Sequence, residues 1–377
     1  MKTTDTHRIL LMLSALLCLS KAAFADPPST EKKLPCDKLS EEVVSDTDEN
    51  TVKSISAFKP AQIVKRKNPR YPKSAAITGT EGWVKINFVI DTDGNVQDPV
   101  ISDSSGNKAI TRAAMSAVKR WKYSPAIKDN RAVQQCYNEV QLDFTLQNQI
   151  GASGKFITKY KEAEKAMTAG DMERAEKLIE AMKENGGGNR YENAWLWALD
   201  ASVASTINDL RRELRSIDRT LASSNTHQGK YQTFDDEQIK SLYQRKFVLH
   251  LQFNEFSSAL YTVDKVKKLA NGEDILAPLN SYIEKINSLI QSEQNIIVKR
   301  SLSDEGKNFH YLVRNKFGFT KIEGQLDSVE VRCDSHHEKF TVALDHTWNI
   351  PESWGSCRVL VEGKAGTAFS LVELGNT

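Results

Sequence analysis

Gly82-Trp83-Val84-Lys85-Ile86-Asn87-Phe88-Val89-Ile90, followed by Asp91-Thr92-Asp93-Gly94-Asn95 and then Val96 to Ser102, decides the fold of residues 57–148. Apolar and polar residues alternate before the run ends continuously apolar, which places Val84, Ile86, Phe88 and Ile90 on one strand face. The D-x-D-G that follows has the beginning of a calcium loop, but its twelfth position is Ser102 rather than glutamate. A hairpin turn is the better reading, with Gly94 or Asn95 taking positive φ.

Working outward, Ser104-Ser105-Gly106-Asn107 predicts a helix start. Ile110, Ala113, Ala114, Ala117, Val118 and Trp121 then mark an apolar helical stripe. Lys119, Arg120 and Lys122 suit the negative end of the helix dipole, and Pro125 discourages continuation. A third strand is expected over Tyr137 to Leu146, with Val140, Leu142, Phe144 and Leu146 on one face. The order is β-β-α-β.

Composition bounds the rest. At 377 residues, 40% hydrophobic and 27% charged, the chain has a globular composition and room for two or three domains. Lys2, Arg8 and Lys21 surround a short apolar run, and Ala23-Phe24-Ala25 gives an A-x-A cleavage site. Residues 1–25 are therefore expected to be a signal peptide, with an uncleaved signal anchor as the alternative. Without them, the 51 basic and 49 acidic residues fall by three and one to 48 of each. A zero net charge disfavours a globally driven nucleic-acid binder.

Residues 26–56 carry eight Asp/Glu against four Lys and read as an acidic leader or linker. Residues 57–148 hold fourteen Lys/Arg against eight Asp/Glu, a local net charge of +6. The pattern over 155–295 is helical, and 296–377 is strand-rich with Gly, Asp, Asn and Pro between short runs. A small C-terminal β-sandwich is expected there. The fold class is thus α+β multidomain.

Cys36, Cys136, Cys333 and Cys357 follow the export signal, and an even number in an exported chain favours disulfides. Three pairings are open. Cys333–Cys357 is preferred because both lie in one short β-rich segment, which leaves Cys36–Cys136. A zinc site from Cys333, His336, His337 and Cys357 is the competing reading, although the spacing matches no strong motif. No cofactor or metal is expected, and no nucleophile or zinc-hydrolase motif surrounds the seven histidines, so an enzyme is not the reading here.

Asn68-Pro69-Arg70-Tyr71-Pro72, Glu81-Gly82-Trp83-Val84, Asp91-Thr92-Asp93-Gly94-Asn95-Val96 and Arg120-Trp121-Lys122-Tyr123-Ser124-Pro125-Ala126 resemble, in order and spacing, the TonB C-terminal domain family. The resemblance implies a small periplasmic domain that engages TonB-dependent outer-membrane transporters. There, an extended transporter segment, the TonB box, adds a strand beside the last strand of the sheet. Carried onto this chain, that edge is Val140-Gln141-Leu142-Asp143-Phe144, and Pro69, Tyr71 and Pro72 form the other transporter-meeting segment. Tyr71 covering the small core is the plainer alternative for that segment. Lys65, Arg66, Lys67, Arg70 and Lys73 are a candidate docking patch or simply a solvated face.

The chain departs from the energy-transducer pattern. A transducer has an S-x-x-x-H motif in a membrane helix, whereas Ser14 is followed four residues later by Cys18. It also has a long Pro-rich spacer. Residues 26–56 contain no such tract and reach about 100 Å at most. The expected role is a periplasmic adaptor for transporter-dependent uptake. The alternatives are a transducer anchored in the inner membrane against a proton-driven motor, and an envelope scaffold that does not bind transporters.

Ala163 to Leu178 has a second resemblance, to the helix-turn-helix core of a tetratricopeptide repeat. Asn254-Glu255-Phe256-Ser257-Ser258-Ala259-Leu260 is a related phrase that aligns Gly170 with Asn254, Met172 with Phe256 and Ala175 with Ala259. The interval is 84 rather than 34 residues, which does not support a regular array.

Overall fold

A computed structural model describes residues 58–146, 151–184, 188–224, 233–269, 271–342 and 346–375. The expected signal peptide, the acidic leader and Cys36 lie outside the described residues. Among the described residues, no helix is long and apolar enough to cross a membrane.

The first unit contains β1 (Gln62–Lys65), α1 (Lys73–Ile77), β2 (Gly82–Ile90), β3 (Val96–Ser104), α2 (Lys108–Val118), β4 (Lys122–Ser124), β5 (Ala126–Lys128), β6 (Arg131–Val133) and β7 (Gln135–Phe144). The expected β-β-α-β order is present as β2, β3, α2 and β7. The short strands between α2 and β7 were not legible, because three-residue pairings carry no periodicity. The main sheet is antiparallel, in the order β3-β2-β7. Ile110, Ala114 and Val118 of α2 pack on Val84, Ile86, Phe88, Leu142 and Phe144. Asn107 caps α2 by accepting from the Ala109 and Ile110 N–H groups. Trp121 completes this core, edge-on to Phe88, and its Nε1 donates to the Lys67 carbonyl at 2.9 Å.

The hairpin turn forms around Asp91, whose Oδ1 accepts from the N–H groups of Asp93 and Asn95. Gly94 has φ +80, and a Cβ there would sit 1.9 Å from the Tyr123 carbonyl oxygen. The glycine is fixed by both conformation and close approach.

The second unit is helical: α3 (Gly154–Thr168), α4 (Met172–Glu184), α5 (Arg190–Thr206), α6 (Leu210–Ser223), α7 (Asp236–Gln252), α8 (Phe256–Val266), α9 (Gly272–Leu276) and α10 (Asn280–Gln291). Gly170 and Asn254, aligned in sequence, both adopt left-handed φ, +79 and +57. Each lies two residues before a helix, α4 or α8, that buries its fourth residue, Ala175 or Ala259. Asn208, at φ +60, occupies the same place before α6. This third turn was missed because Glu213 stands where the other two carry alanine; it is fully buried and held by Arg245 at 2.7 Å.

The third unit pairs two four-stranded antiparallel sheets. One has the order β13 (Thr347–Asn349), β10 (Lys316–Glu323), β15 (Ala368–Glu373), β8 (Ile296–Ser301); the other β12 (His337–Thr341), β11 (Leu326–Cys333), β14 (Cys357–Gly363), β9 (Lys307–Tyr311). Their facing side chains share one core, from Phe317, Phe319 and Phe369 on one side to Val329, Val331 and Val359 on the other. Cys333 and Cys357 stand directly opposite in the β11–β14 pair and form a disulfide. Both sulfurs are therefore consumed, which removes the zinc alternative. Trp348 packs in this core against Phe317. Cys136 is a buried free thiol in this structure, and Cys36, its expected partner, lies outside the described residues.

Candidate functional site

The candidate site is the outer side of β7, the terminal strand of the β3-β2-β7 sheet. Its hydrogen-bonding parity follows from β2. The Trp83 carbonyl accepts from Ser105 N–H at 2.9 Å, on the β3 side. Successive residues alternate, so the backbone groups of Val84 face β7. Val84 lies opposite Leu142, which makes that pair hydrogen-bonded and turns the N–H and C=O of Gln141 outward. Asp143 shares the parity of Gln141. Val140, Leu142 and Phe144 direct their backbone groups toward β2 instead.

The side chains divide the same way. Leu142 and Phe144 are buried on the α2 side, and Val140 packs beside them. Glu139, Gln141 and Asp143 face the opposite side of the sheet. Glu139 accepts from Asn87 Nδ2 at 3.0 Å, and Gln141 Nε2 donates to the Ala222 carbonyl at 3.0 Å. Asp143 pairs with Arg190 at 3.1 Å.

Tyr71 brings the two expected partner segments together. Its ring meets Phe144 edge-on at 5.7 Å, and its hydroxyl donates to the Thr80 carbonyl at 2.7 Å. Burial, and then the nearby Glu81 carboxylate, push its phenol up to about 12. Pro69 is half-buried, and Pro72 precedes α1 with φ −67. Much of Tyr71 is thus engaged within the unit. Of the basic patch, Lys65, Arg66, Lys67, Arg70 and Lys73 are all exposed. Arg66 also lies over the Trp121 ring, 5.0 Å from its centre.

The sheet face opposite α2 is covered. Trp83 is 1% exposed, and its Nε1 donates to Ser223 Oγ of α6 at 2.9 Å. The buried Glu81 carboxylate accepts from Leu146 N–H at 2.5 Å and Arg190 N–H at 2.9 Å. Arg190 in turn donates to the Ala222 and Ser223 carbonyls, satisfying acceptors that end α6. This clamp was invisible in the sequence because its partners stand 109 residues apart.

At the hairpin end, the β11–β14 sheet takes over the same face. Arg332 Nη1 donates to the Asp98 carbonyl, and Arg358 Nη2 to that of Asn138. The two arginines oppose each other across the strands and are both fully buried. Among the described residues, Arg332 Nη2 and Arg358 Nε and Nη1 lack hydrogen-bond partners. Glu330 offsets part of this charge by binding Arg332 at 2.5 Å and His337 at 2.6 Å. Burial pushes the adjacent Cys136 thiol up to about 12, outweighing the opposite pull of Arg332 and Arg358, so it remains protonated.

A three-stranded antiparallel sheet with α2 on one face and β7 as its free edge is thus the architecture of residues 58–146. The family model for the Gram-negative bacterial TonB protein C-terminal matches residues 67–146, and that segment is a TonB C-terminal domain. Protein TonB of Vibrio cholerae is 38% identical over 79 residues, covering 21% of this chain and 32% of that protein. Protein tonB2 of Pseudomonas aeruginosa is 35% identical over 78 residues, 21% of this chain and 28% of that protein. The solved structure of the tonB2 protein from Vibrio anguillarum covers 30% of this chain and 100% of its own, at 30% identity and a TM-score of 0.20. The likeness therefore spans about a third of the length of these curated relatives.

Proposed function

We propose that this is a periplasm-facing TonB-family adaptor that engages TonB-dependent outer-membrane transporters by adding an extended segment to the outer edge of β7. The observation that carries the reading is the outward parity of Gln141 and Asp143 on a terminal strand. Unpaired backbone donors and acceptors in a row are a template for strand addition. The names of the matched relatives support the partner class.

On this reading the chain has three parts: the TonB C-terminal domain, a helical part of tetratricopeptide-like hairpins, and a C-terminal β-sandwich. The shared left-handed turns at Gly170, Asn208 and Asn254 support the hairpin reading. The common core between the two four-stranded sheets supports the sandwich. Because the helical and β-rich parts cover the second sheet face, any partner strand has the edge rather than the face of β7 to approach.

The test is a titration of the folded chain with TonB-box peptides, followed by NMR along β7. Binding shifts Glu139 to Phe144, and Gln141→Pro abolishes it by removing an outward N–H. Circular dichroism verifies that the variant still folds. A folded wild-type chain that shows no shifts across the peptide panel rules this function out for that panel.

A further inference from the structure

All three units meet beside the edge of β7, and they meet through tyrosines. Tyr311 of β9 lies edge-on to Tyr137 of β7, with ring centres 5.8 Å apart. It also stacks on Tyr261 of α8 at 6.0 Å. Lys265 Nζ sits 5.0 Å from the Tyr261 ring centre, and the Arg358 guanidinium lies 4.9 Å from that of Tyr137. All three rings are half-buried. Among the described residues, none of the three hydroxyls makes a hydrogen bond, although Tyr71 shows that a phenol in this chain can find a backbone acceptor.

We propose that this junction is the side-chain recognition subsite of the β7 edge, selecting extended transporter segments that place an apolar side chain against Tyr137, Tyr261 and Tyr311. The proposal rests on the strand-addition reading above. A strand paired with Gln141 and Asp143 would lie about 4.8 Å beyond β7 and continue the sheet face that carries Tyr137, Glu139 and Gln141. Alternate side chains of that strand would then point toward the tyrosine rings. Aromatic faces supply contact area at low entropic cost, and the unpartnered hydroxyls are donors for the incoming strand's carbonyls. The unmet backbone groups of β7 specify an extended chain rather than a helix or a small molecule. Helical and β-rich parts would thereby contribute specificity to a site whose backbone pairing belongs to the TonB C-terminal domain.

The experiment uses the full chain and a panel of TonB-box peptides, each bearing one cysteine, for disulfide trapping at Gln141→Cys. Affinities are read in parallel by fluorescence anisotropy. Trapping is expected, with Tyr261→Ala and Tyr311→Ala each weakening binding roughly tenfold and the phenylalanine variants retaining most of it. A peptide-side change guards against misfolding. Replacing the apolar side chain by serine should cost roughly tenfold in the wild type and far less in Tyr261→Ala. Trapping at Gln141→Cys with unchanged affinity in both alanine variants overturns the subsite and leaves the edge reading standing. No trapping together with no binding to the wild type overturns the edge reading, and the subsite falls with it.

Discussion

The indole N–H of Trp83 donates to the Ser223 hydroxyl at 2.9 Å, joining two residues 140 positions apart in a fully buried contact. Trp83 is thus a joint between the TonB C-terminal sheet and the helical part. Trp83→Phe should keep most of the packing but lose the hydrogen bond and strand a buried hydroxyl. The expected loss is about 1–2 kcal/mol in urea unfolding. Unchanged stability would mean that this joint contributes nothing to cohesion.

The turn at Gly94 provides a sharper backbone test. Alanine there must hold φ near +80 while its Cβ meets the Tyr123 carbonyl. Gly94→Ala should destabilise the chain by about 2–3 kcal/mol, whereas Asp93→Ala, one residue earlier and exposed, should cost less. Thermal melts of the two variants make the comparison.

Removing the Cys333–Cys357 disulfide releases a constraint that closes a sequence separation of 24 residues. The double variant Cys333→Ala, Cys357→Ala should lose about 2–4 kcal/mol of stability. Added reductant should lower the melting temperature of the wild type and leave that variant unaffected. Peptide mapping without reductant should recover the two cysteines in one linked fragment.

Acid should act in two windows. Burial depresses His250 and His310 below the usual histidine value, outweighing their contacts with Glu255 and Glu373. Arg300 Nη2 lies 3.0 Å from His310 Nδ1, and Nε2 faces Glu373 at 2.9 Å, so this ring is held neutral with Nδ1 accepting. The unfolded chain therefore binds the extra protons, and stability present above about pH 6.5 is lost as pH falls below it. Glu255 and Glu330 form the second window. Burial alone would raise them, but hydrogen bonds from His250 to the first and from His337 and Arg332 to the second hold both near about 2. Their contribution is present above about pH 4.5 and disappears toward pH 2. Urea midpoints from pH 8 to 2 should fall in both windows, and His310→Gln should flatten the first.

The hydrophobic alternation of Gly82 to Ile90, the D-x-D-G turn and the stripe from Ile110 to Trp121 were sufficient for the β-β-α-β core. Such local periodicities bury one face whatever lies beyond it. The third strand was found two residues out of place, since the bulge where Ile90 pairs with Gln135 shifts the pattern. The Cys333–Cys357 pairing was also legible, because both cysteines fall within one short β-rich run.

The sequence by itself determined the domain family and the strand that ends the sheet, both of which reside in local pattern and motif spacing. Only the tertiary structure decided which atoms of that strand face outward and what surrounds them. Trp83 and Gln141 read as ordinary strand residues, and Glu81 only as part of a family motif, until α5 and α6 supply Arg190, Ala222 and Ser223. Tyr137, Tyr261 and Tyr311 come from three separate units and meet only in space. Contacts between residues this far apart in the chain leave no periodic trace in it. They are set by which faces remain unburied after each unit has formed its own core, and that is a property of packing rather than of local sequence.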